Sequence, residues 1–508
     1  MKVRRGSGVL LHITSLPGRF GIGDVGPSAY EFIDFLKESC QQYWQFLPLG
    51  PVSRTFECSP YMCLSAFAGN SMLISPDMLL ESGLLKEEDF GELPAFSEYT
   101  VEFDQVVSYK KKLLKKAYLR FRAGSGLQGF NEFCDQEKWL DDYGLFMALR
   151  EENGLRAWYD WPRGIADRQP DAIAACRSRL AEDILYYKFV QFCFHDQWHA
   201  MRNYANKKGI ALIGDIPIYV SLDSADVWAH QDCFRLHKKT LQPTHVAGVP
   251  PDYFSETGQR WGNPLYRWKL SGAKPNEKLI SWWQERFQTI FRAVDIVRID
   301  HFRGFESFWE IPAAEETAIN GRWVKGPGRR FFKKMEKSIG TLPIIAEDLG
   351  VVTPAMEKLR DSLGFPGMKI LQFAFDSDEK NLYLPHNFET TNCVVYTGTH
   401  DNDTTLGWYF SPDVAETSKT KAKRYANSDG SEICRDFIRM AMSSVADMAI
   451  IPMQDLLGFG TDCRMNKPST TEGNWMWRCA TENLSGDLCH WLRDETLFYN
   501  RMPELQVE

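Results

Sequence analysis

The stretch Asp295-Ile-Val-Arg-Ile-Asp-His301 carries the pattern that decides the fold: apolar, β-branched residues that end in charged side chains of catalytic type. Further runs of this kind lie at 8–12, 43–47, 210–217, 343–347, 369–375, 392–400 and 447–453. Such runs are typical of strands buried on both faces of a parallel sheet. Helical patterns, for example at 328–338 and 353–362, separate most of them. Eight strands that alternate with helices predict an α/β fold, a (β/α)₈ TIM barrel.

The spacing of the predicted strands is uneven, which predicts large insertions. Residues from about 75 to 190, between strands two and three, have amphipathic helical patterns and predict a mainly helical subdomain. Residues from about 220 to 290, after strand three, predict an active-site loop and helices. Long connections that follow barrel strands emerge at the C-terminal face, where barrel enzymes carry their chemistry. We therefore expect residues 1–508 to form a single decorated barrel.

Composition excludes several classes of protein. The chain has 508 residues, of which 44% are apolar and 25% charged, and its net charge is −8. This balance excludes disorder and fibrous repeats, and the acidic charge argues against nucleic acid as a partner. The aromatic content of 13% suits a sugar ligand, because Trp and Tyr offer flat apolar faces with polar edges. The apolar run at 9–13 is too short for a signal peptide or a membrane span.

The cysteine pattern indicates reduced thiols. Twelve cysteines occur without a CxxC motif, and several lie in apolar runs. Free buried thiols are typical of the cytosol, so we expect a cytoplasmic protein. A plastid location stays open if a transit peptide has been removed from the chain.

Two local motifs are typical of other functions, but the strands and helices predicted around them do not fit those functions. Residues 21–26 match the dinucleotide pattern GxGxxG, but the preceding strand ends near residue 12 and no acidic residue ends the next strand. His195 and His199 have the i, i+4 spacing of metalloprotease ligands, but they precede strand three on a predicted outer helix. We therefore expect neither nucleotide binding nor a metal site.

The strongest signal is a set of carboxylates at successive strand ends: Asp215, Asp300, Glu347 and Asp401. A single acid there is often a helix N-cap, but four at one barrel mouth predict a catalytic site. Arg298 and Asp300 point to the same side of their strand, and an arginine keeps a neighbouring aspartate ionised as a nucleophile. Glu347 follows Ile-Ile-Ala, so burial is expected to raise its pKa and make it the proton donor.

These residues stand in motifs that resemble the amylomaltase family, the disproportionating 4-α-glucanotransferases related to α-amylases. The motifs are Val-Arg-Ile-Asp-His-Phe-Arg-Gly (297–304), Ile-Ala-Glu-Asp-Leu-Gly (345–350) and Thr-His-Asp-Asn-Asp (399–403). Further matching segments run from residue 14 to residue 477, including Ser-Pro-Tyr (59–61), 246–252, 261–264 and Gly-Asn-Trp-Met-Trp (473–477). The chain departs from the family at Met62, where Gln is common, and at Glu57-Cys58, where Gly-Asp is common.

The resemblance implies specific roles. Asp300 is the expected nucleophile, Glu347 the acid and base, and Asp401 the group that grips ring hydroxyls and favours the distorted sugar. The implied substrate-binding residues are Tyr61, Asp215, Asp252, Trp261, Arg298, His301 and His400. The loop at 246–261 is expected to cover the cleft.

The implied activity is retaining transfer of α-1,4-glucan segments from a maltooligosaccharide donor to glucose or another glucan. Two carboxylates suffice for this chemistry, so no metal or organic cofactor is expected. The residues alone do not separate transfer from hydrolysis by an α-glucan hydrolase, and a non-catalytic glucan-binding protein is a further alternative. The sequence does not indicate an oligomeric state.

Overall fold

A computed structural model describes residues 4–124, 128–251 and 255–502. Its strands in chain order are β1 (Gly6–Leu10), β2 (Tyr43–Gln45), β3 (Ala211–Pro217), β4 (His245–Val249), β5 (Gln259–Pro264), β6 (Ile296–Asp300), β7 (Ser307–Pro312), β8 (Arg322–Lys325), β9 (Ile344–Ala346), β10 (Gly367–Ile370), β11 (Cys393–Tyr396) and β12 (Met448–Pro452).

Eight of these strands form one parallel sheet in the order β10-β11-β12-β1-β2-β3-β6-β9. The first and last barrel strands are neighbours, since β1 pairs with β12 from Gly6↔Met448 to Leu10↔Pro452. The outer strands of that order also approach each other, because the N–H of Ala346 donates to the carbonyl of Pro366 at 2.9 Å. Each predicted apolar run overlaps one barrel strand, although β1 and β10 each begin two residues before the predicted run, and the predicted (β/α)₈ barrel is confirmed.

Helices surround the barrel and fill its long connections. Their bounds are α1 (Pro27–Glu38), α2 (Pro76–Glu81), α3 (Glu87–Phe90), α4 (Phe103–Ala123), α5 (Phe130–Gln136), α6 (Leu140–Glu152), α7 (Arg163–Ala166), α8 (Pro170–Arg179), α9 (Ala181–Lys207), α10 (Ala225–Ala229), α11 (Glu277–Ala293), α12 (Arg329–Ile339), α13 (Pro354–Leu363), α14 (Thr405–Phe410), α15 (Glu416–Ala426), α16 (Ile433–Ser443), α17 (Met453–Leu456) and α18 (Gly486–Phe498).

Local sequence explains where a helix such as α13 begins and ends. The Thr353 side chain accepts a hydrogen bond from the N–H of Met356, and Pro354 occupies the first turn, where its missing N–H costs nothing. Gly364 ends the helix in the left-handed conformation, which residues with a Cβ rarely adopt.

The connection between β2 and β3 contains helices α2 to α9. Most of its buried apolar side chains belong to the same core as those of the barrel, and Met72, Val101, Phe103 and Val106 belong to a separate small cluster. Lys110 of α4 is buried and ties this connection to the barrel's N-terminal segment, since its ammonium lies 2.8 Å from the Asp24 carboxylate and donates to the Met72 carbonyl at 2.7 Å. A buried charge is tolerated only when it is paired in this way.

A second, antiparallel sheet has the strand order β5-β4-β7-β8. Its first two strands lie in the connection after β3, and the other two lie in the connection after β6. Strand β5 carries Trp261. Asp252, one of the predicted substrate-binding residues, lies outside the described residues, as do Tyr253 and Phe254.

All twelve cysteines fall within the described part of the chain, and all are free thiols. Across residues 4–124, 128–251 and 255–502, no helix has the length and apolar character needed to cross a bilayer.

Candidate active site

The pairing of β3 with β6 brings the first charged residues together. Asp215 stands opposite Arg298 in the register, and Pro217 stands opposite Asp300. The C-terminal ends of these two strands therefore place both carboxylates and the guanidinium at one mouth of the barrel, as the strand-end pattern predicted.

Arg298 bridges two carboxylates. Its Nη1 donates to Asp215 Oδ2 at 2.6 Å, and its Nη2 donates to Asp300 Oδ1 at 3.1 Å. Burial disfavours the guanidinium charge, but the carboxylates of Asp215 and Asp300 outweigh it and hold the pKa of Arg298 above its ordinary value. The cation is therefore permanent, and its two partners share it.

The two carboxylates differ in environment. Asp215 is fully buried, and burial together with the charge of Asp300 raises its pKa to about 7, against the effects of Arg298 and Tyr61. The pKa of Asp300 is also raised, because burial and the charge of Asp401 outweigh the lowering effects of Arg298 and His400. The Asp300 side chain keeps 30% of its surface exposed, so a substrate can reach it. Asp300 therefore has both the access and the cationic partner that a carboxylate nucleophile needs.

Glu347 follows β9 and is held by two backbone donors. Its Oε2 accepts from the N–H of His301 at 2.7 Å, and its Oε1 accepts from the N–H of Leu349 at 2.8 Å. Burial, and next the negative charge of Asp300, raise the pKa of Glu347 to about 8. At neutral pH this group is largely protonated, which is the state that a general acid requires.

Asp401 belongs to the loop after β11 and is oriented by a second loop. Asn466 Nδ2 donates to Asp401 Oδ1 at 2.6 Å, and Arg464 Nη2 donates to the Asp401 carbonyl at 2.5 Å. His400 Nε2 lies 3.3 Å from the same carboxylate oxygen. The Asp401 side chain is 45% exposed, so it can bind a polar ligand directly.

Aromatic rings flank these acids. Tyr61 stacks on His400, with ring centroids 5.2 Å apart and planes 11° from parallel, and its hydroxyl donates to Asp215 Oδ2 at 2.7 Å. Trp261 contacts His301 edge to face, with centroids 4.8 Å apart. His301 has a φ of 53°, a left-handed conformation that is uncommon for a residue with a Cβ and is frequent at functional sites.

Every predicted site residue that the structure describes thus contacts at least one other residue of the predicted set. Sequence reasoning missed four residues that touch this set. Asn466 and Arg464 hold Asp401, Trp475 lies 5.8 Å from the Tyr61 ring, and Tyr219 lies 6.5 Å from the rings of Trp261 and His301. Trp475 and Tyr219 stand in or beside matched motifs, so a motif search extended by neighbouring aromatics would have found them. Asn466 and Arg464 stand in a loop without any motif.

The metalloprotease-like histidine motif lies on the helix that precedes β3. His195 and His199 both lie on α9, with ring centroids 6.1 Å apart. In the part of the chain that the structure describes, no group of three or more His, Cys, Asp or Glu side chains is arranged to hold a metal ion.

The fold and the site together place a carboxyl group with a raised pKa and an arginine-paired carboxylate at one mouth of a parallel barrel. A sequence profile of the 4-alpha-glucanotransferase family matches residues 11–483. A 4-alpha-glucanotransferase of Synechocystis is 49% identical over 504 residues, covering 98% of each chain. The chloroplastic/amyloplastic 4-alpha-glucanotransferase of Solanum tuberosum is 44% identical and covers 98% of this chain and 87% of the relative. The chain belongs to the 4-alpha-glucanotransferase family.

The solved structures agree with this assignment. The amylomaltase of Streptococcus agalactiae in complex with acarbose superposes with a TM-score of 0.93 at 40% identity, covering 98% of this chain and 100% of that one. The resemblance seen in the sequence motifs is confirmed. The enzyme is a 4-alpha-glucanotransferase that transfers glucan segments, and neither a hydrolase nor a non-catalytic binding protein is favoured.

Proposed function

We propose that the enzyme transfers α-1,4-glucan segments by double displacement, with Asp300 as nucleophile and Glu347 as acid and base. The observation that carries this proposal is the difference in electrostatic environment between the two carboxyl groups. Asp300 shares the cation of Arg298, whereas burial and the nearby charge of Asp300 raise the pKa of Glu347 to about 8. Retaining glycoside chemistry requires one charged and one protonated carboxyl of this kind.

In the first step, an Asp300 carboxylate oxygen attacks the anomeric carbon of the donor sugar. The bond from that carbon to the leaving oxygen breaks, and Glu347 gives its proton to that oxygen. The products are a β-glucosyl–enzyme ester on Asp300, an ionised Glu347 and the released reducing-end sugar. Arg298 loses one ionic partner in this step, since Asp300 becomes a neutral ester while Asp215 remains.

In the second step, the 4-hydroxyl of an acceptor attacks the same carbon. The ionised Glu347 takes the hydroxyl proton, the ester bond breaks, and Asp300 is again a carboxylate. Inversion in each step gives net retention of the α configuration. Glu347 ends the cycle protonated, so transfer consumes no proton from solvent.

The surrounding residues are proposed to bind the sugar. Asp401, exposed and oriented by Asn466, is suited to accept hydrogen bonds from ring hydroxyls of the distorted donor. The stacked rings of Tyr61 and His400 provide a flat apolar face of the kind on which a pyranose ring packs. Asp252 is proposed to contact substrate on the basis of the family motif alone.

Transfer must compete with water, which is present at roughly 55 M, so the bound acceptor needs a higher effective concentration than water. Trp261 of β5 lies against His301, the residue next to the nucleophile, and offers apolar surface on which an acceptor sugar can be held. The β4–β5 connection, which continues from Pro250-Pro251, is proposed to cover the cleft and to exclude water.

The proposed donors are maltooligosaccharides, and the proposed acceptors are glucose and other α-1,4-glucans. The structural neighbour, an amylomaltase in complex with acarbose, supports this choice of substrate class. A cytoplasmic location is proposed from the free cysteines, and the chloroplastic/amyloplastic relative supports a plastid location if a transit peptide precedes the mature chain.

Product analysis from maltotriose tests this proposal. Wild-type enzyme is expected to release glucose and to build a ladder of longer oligosaccharides, and added glucose should shift that ladder towards shorter products. Asp300→Asn is expected to abolish both the ladder and the release of glucose. Release of only glucose and maltose would show a hydrolase, and an active Asp300→Asn variant would remove the nucleophile from the proposal.

A further inference from the structure

We infer that Arg286 is a positioning residue that fixes the C-terminal end of β3 against β6 and thereby holds Asp300 in place for attack. This inference rests on the proposed role of Asp300 as the nucleophile. Arg286 lies on α11, in the helix layer outside the barrel, and touches none of the carboxylates through a described ion pair.

The guanidinium of Arg286 bonds to the backbone at the end of β3. Its side chain is buried, with 2% of the residue exposed. Nη2 donates to the Pro217 carbonyl at 2.8 Å, and Nη1 donates to the Ile218 carbonyl at 3.3 Å. The hydroxyl of Tyr266 donates to the same Ile218 carbonyl at 2.8 Å. Three donors therefore fix two consecutive carbonyls directly beyond Asp215-Ile216.

One peptide group connects Arg286 to the nucleophile. The carbonyl of the Pro217–Ile218 peptide accepts from Arg286, and the N–H of the same peptide donates to the carbonyl of Asp300 at 3.3 Å. A hydrogen bond to the carbonyl polarises the peptide and strengthens the bond made by its N–H. Arg286 thus acts on the backbone of Asp300 through one rigid, planar unit.

The surroundings of Arg286 suit a group that holds backbone carbonyls and not an acid. Among the described residues, no carboxylate lies within 4.0 Å of it, although the charge of buried Asp226 acts on it from farther away, and its guanidinium lies over the rings of Trp282 and Trp283 at 5.4 Å and 4.8 Å. Burying a cation in this way is costly unless its donors are used. At the catalytic mouth, the Pro217 and Ile218 carbonyls accept from Nη2 and Nη1, and Nε has no partner among the described residues.

The chain offers a matched control at the other end of the barrel. Arg501 is also fully buried, and it donates to the carbonyls of Gly6, Ala441, Met442, Ser444 and Ala446. Gly6 begins β1, so these contacts lie at the N-terminal ends of the strands, away from the acids. Replacing Arg501 therefore removes the same kind of interaction without touching the site.

The test compares Arg286→Met and Arg286→Lys with Arg501→Met. The readout is the single-turnover rate of glycosyl-enzyme formation from an α-maltosyl fluoride donor, per folded molecule and below the unfolding temperature of each variant. A fluoride donor needs little proton donation, so this rate isolates the attack by Asp300 from the work of Glu347. Donor KM in steady state and the melting temperature are measured alongside.

We expect Arg286→Met to slow the attack about 100-fold with little change in KM, because a misplaced nucleophile loses that order of rate. Arg286→Lys, which keeps a donor, should recover about tenfold of that loss. Arg501→Met should lower the melting temperature and leave the rate per folded molecule within about twofold of wild type. An Arg286→Met rate equal to that of Arg501→Met would overturn the inference.

The failure of this inference is distinguishable from failure of the proposed function. If Asp300→Asn still forms a glycosyl-enzyme, the nucleophile has been assigned wrongly, whatever Arg286→Met does. If Asp300→Asn is inactive and Arg286→Met attacks at the wild-type rate, only the positioning role is wrong.

Discussion

The Glu347 carboxyl accepts a hydrogen bond from the backbone N–H of His301, with 2.7 Å between the two atoms. His301 directly follows Asp300, so a single peptide separates the proposed nucleophile from a donor to the proposed acid. The relative position of the two catalytic groups is therefore set by the backbone and not by side-chain rotamers alone. Such a connection keeps the pair in register while the sugar between them changes shape.

The first prediction concerns the alkaline limb of the pH profile. Donor cleavage needs protonated Glu347, and its pKa is raised to about 8, so the rate with maltotriose should fall as the pH rises through about 8. Glu347→Gln should lose about 10²–10⁴-fold in this rate and lose the alkaline limb. With a fluoride donor, the same variant should recover most of the first step. Equal losses with both donors would show that Glu347 is not the acid.

The second prediction links Glu347 to stability. Its folded pKa of about 8 lies above its ordinary value of 4.5, so the folded protein binds a proton that the unfolded chain has lost over that range. The free energy of unfolding therefore falls as the pH rises between about 4.5 and 8 through this group. Glu347→Gln removes that loss, so the melting temperature of the variant should gain on wild type as the pH increases from 5 to 8. An advantage that does not change with pH would contradict the raised pKa.

The third prediction concerns the cation that two acids share. Arg298→Ala leaves Asp215 and Asp300 without their common partner, so the pKa of each should rise and the nucleophile should be partly protonated. Turnover should fall by about 10²-fold or more, because a preorganised charge at the reacting centre has been removed. A rate within about twofold of wild type, less than about half a kcal/mol in barrier, would exclude the role. Arg298→Ala/Asp215→Asn, with one fewer buried acid, is the matched control and should recover stability.

The fourth prediction separates the two functions of Tyr61. Tyr61→Phe keeps the ring on His400 but removes the hydrogen bond to Asp215, and it should lower kcat about tenfold with an unchanged donor KM. Tyr61→Leu removes the ring as well and should also raise the donor KM. Steady-state kinetics with maltotriose measure both constants. If Tyr61→Phe and Tyr61→Leu behave alike, the stacking does not bind the donor.

The fifth prediction concerns the choice between sugar and water. Trp261→Ala should raise the ratio of hydrolysis to transfer, because the acceptor loses apolar surface while water gains access to the ester. The ratio follows from glucose release and ladder formation in one reaction, and Trp323→Ala, a half-exposed ring on β8 of the same small sheet, is the control. If both activities fall by the same factor, Trp261 serves packing or donor binding.

The barrel and its acids were predictable because burial on two faces dictates strand composition. The run that ends at Asp300 must be apolar wherever it meets the core, and its polar residues then collect at the mouth. The contact of Arg298 with Asp215, 83 positions earlier in the chain, follows directly from that rule.

Other parts of the site could not be predicted from the composition of buried strands. Strand β8 (Arg322–Lys325) is largely exposed, and Gly262 interrupts β5 with a φ of 84°, so neither has the alternation or apolar run that marks a strand. Asn466 reaches Asp401 from a loop 65 residues away, and only tertiary structure specifies that contact. Side chains on irregular loops are positioned by their surroundings and not by periodicity.

The pairing of β1 with β12 also has a consequence for biosynthesis. One edge of β1 can pair early with β2, but Gly6 and Met448 are partners on its other edge, so about 440 residues must leave the ribosome before β1 can pair with β12. At about 5–20 residues per second, this interval lasts roughly 20 to 90 seconds. Throughout it, the buried strand Gly6–Leu10 has an open edge that other nascent chains can pair with. We therefore expect a strong demand for chaperones during translation, and truncation before β12 should yield aggregates and not a smaller enzyme.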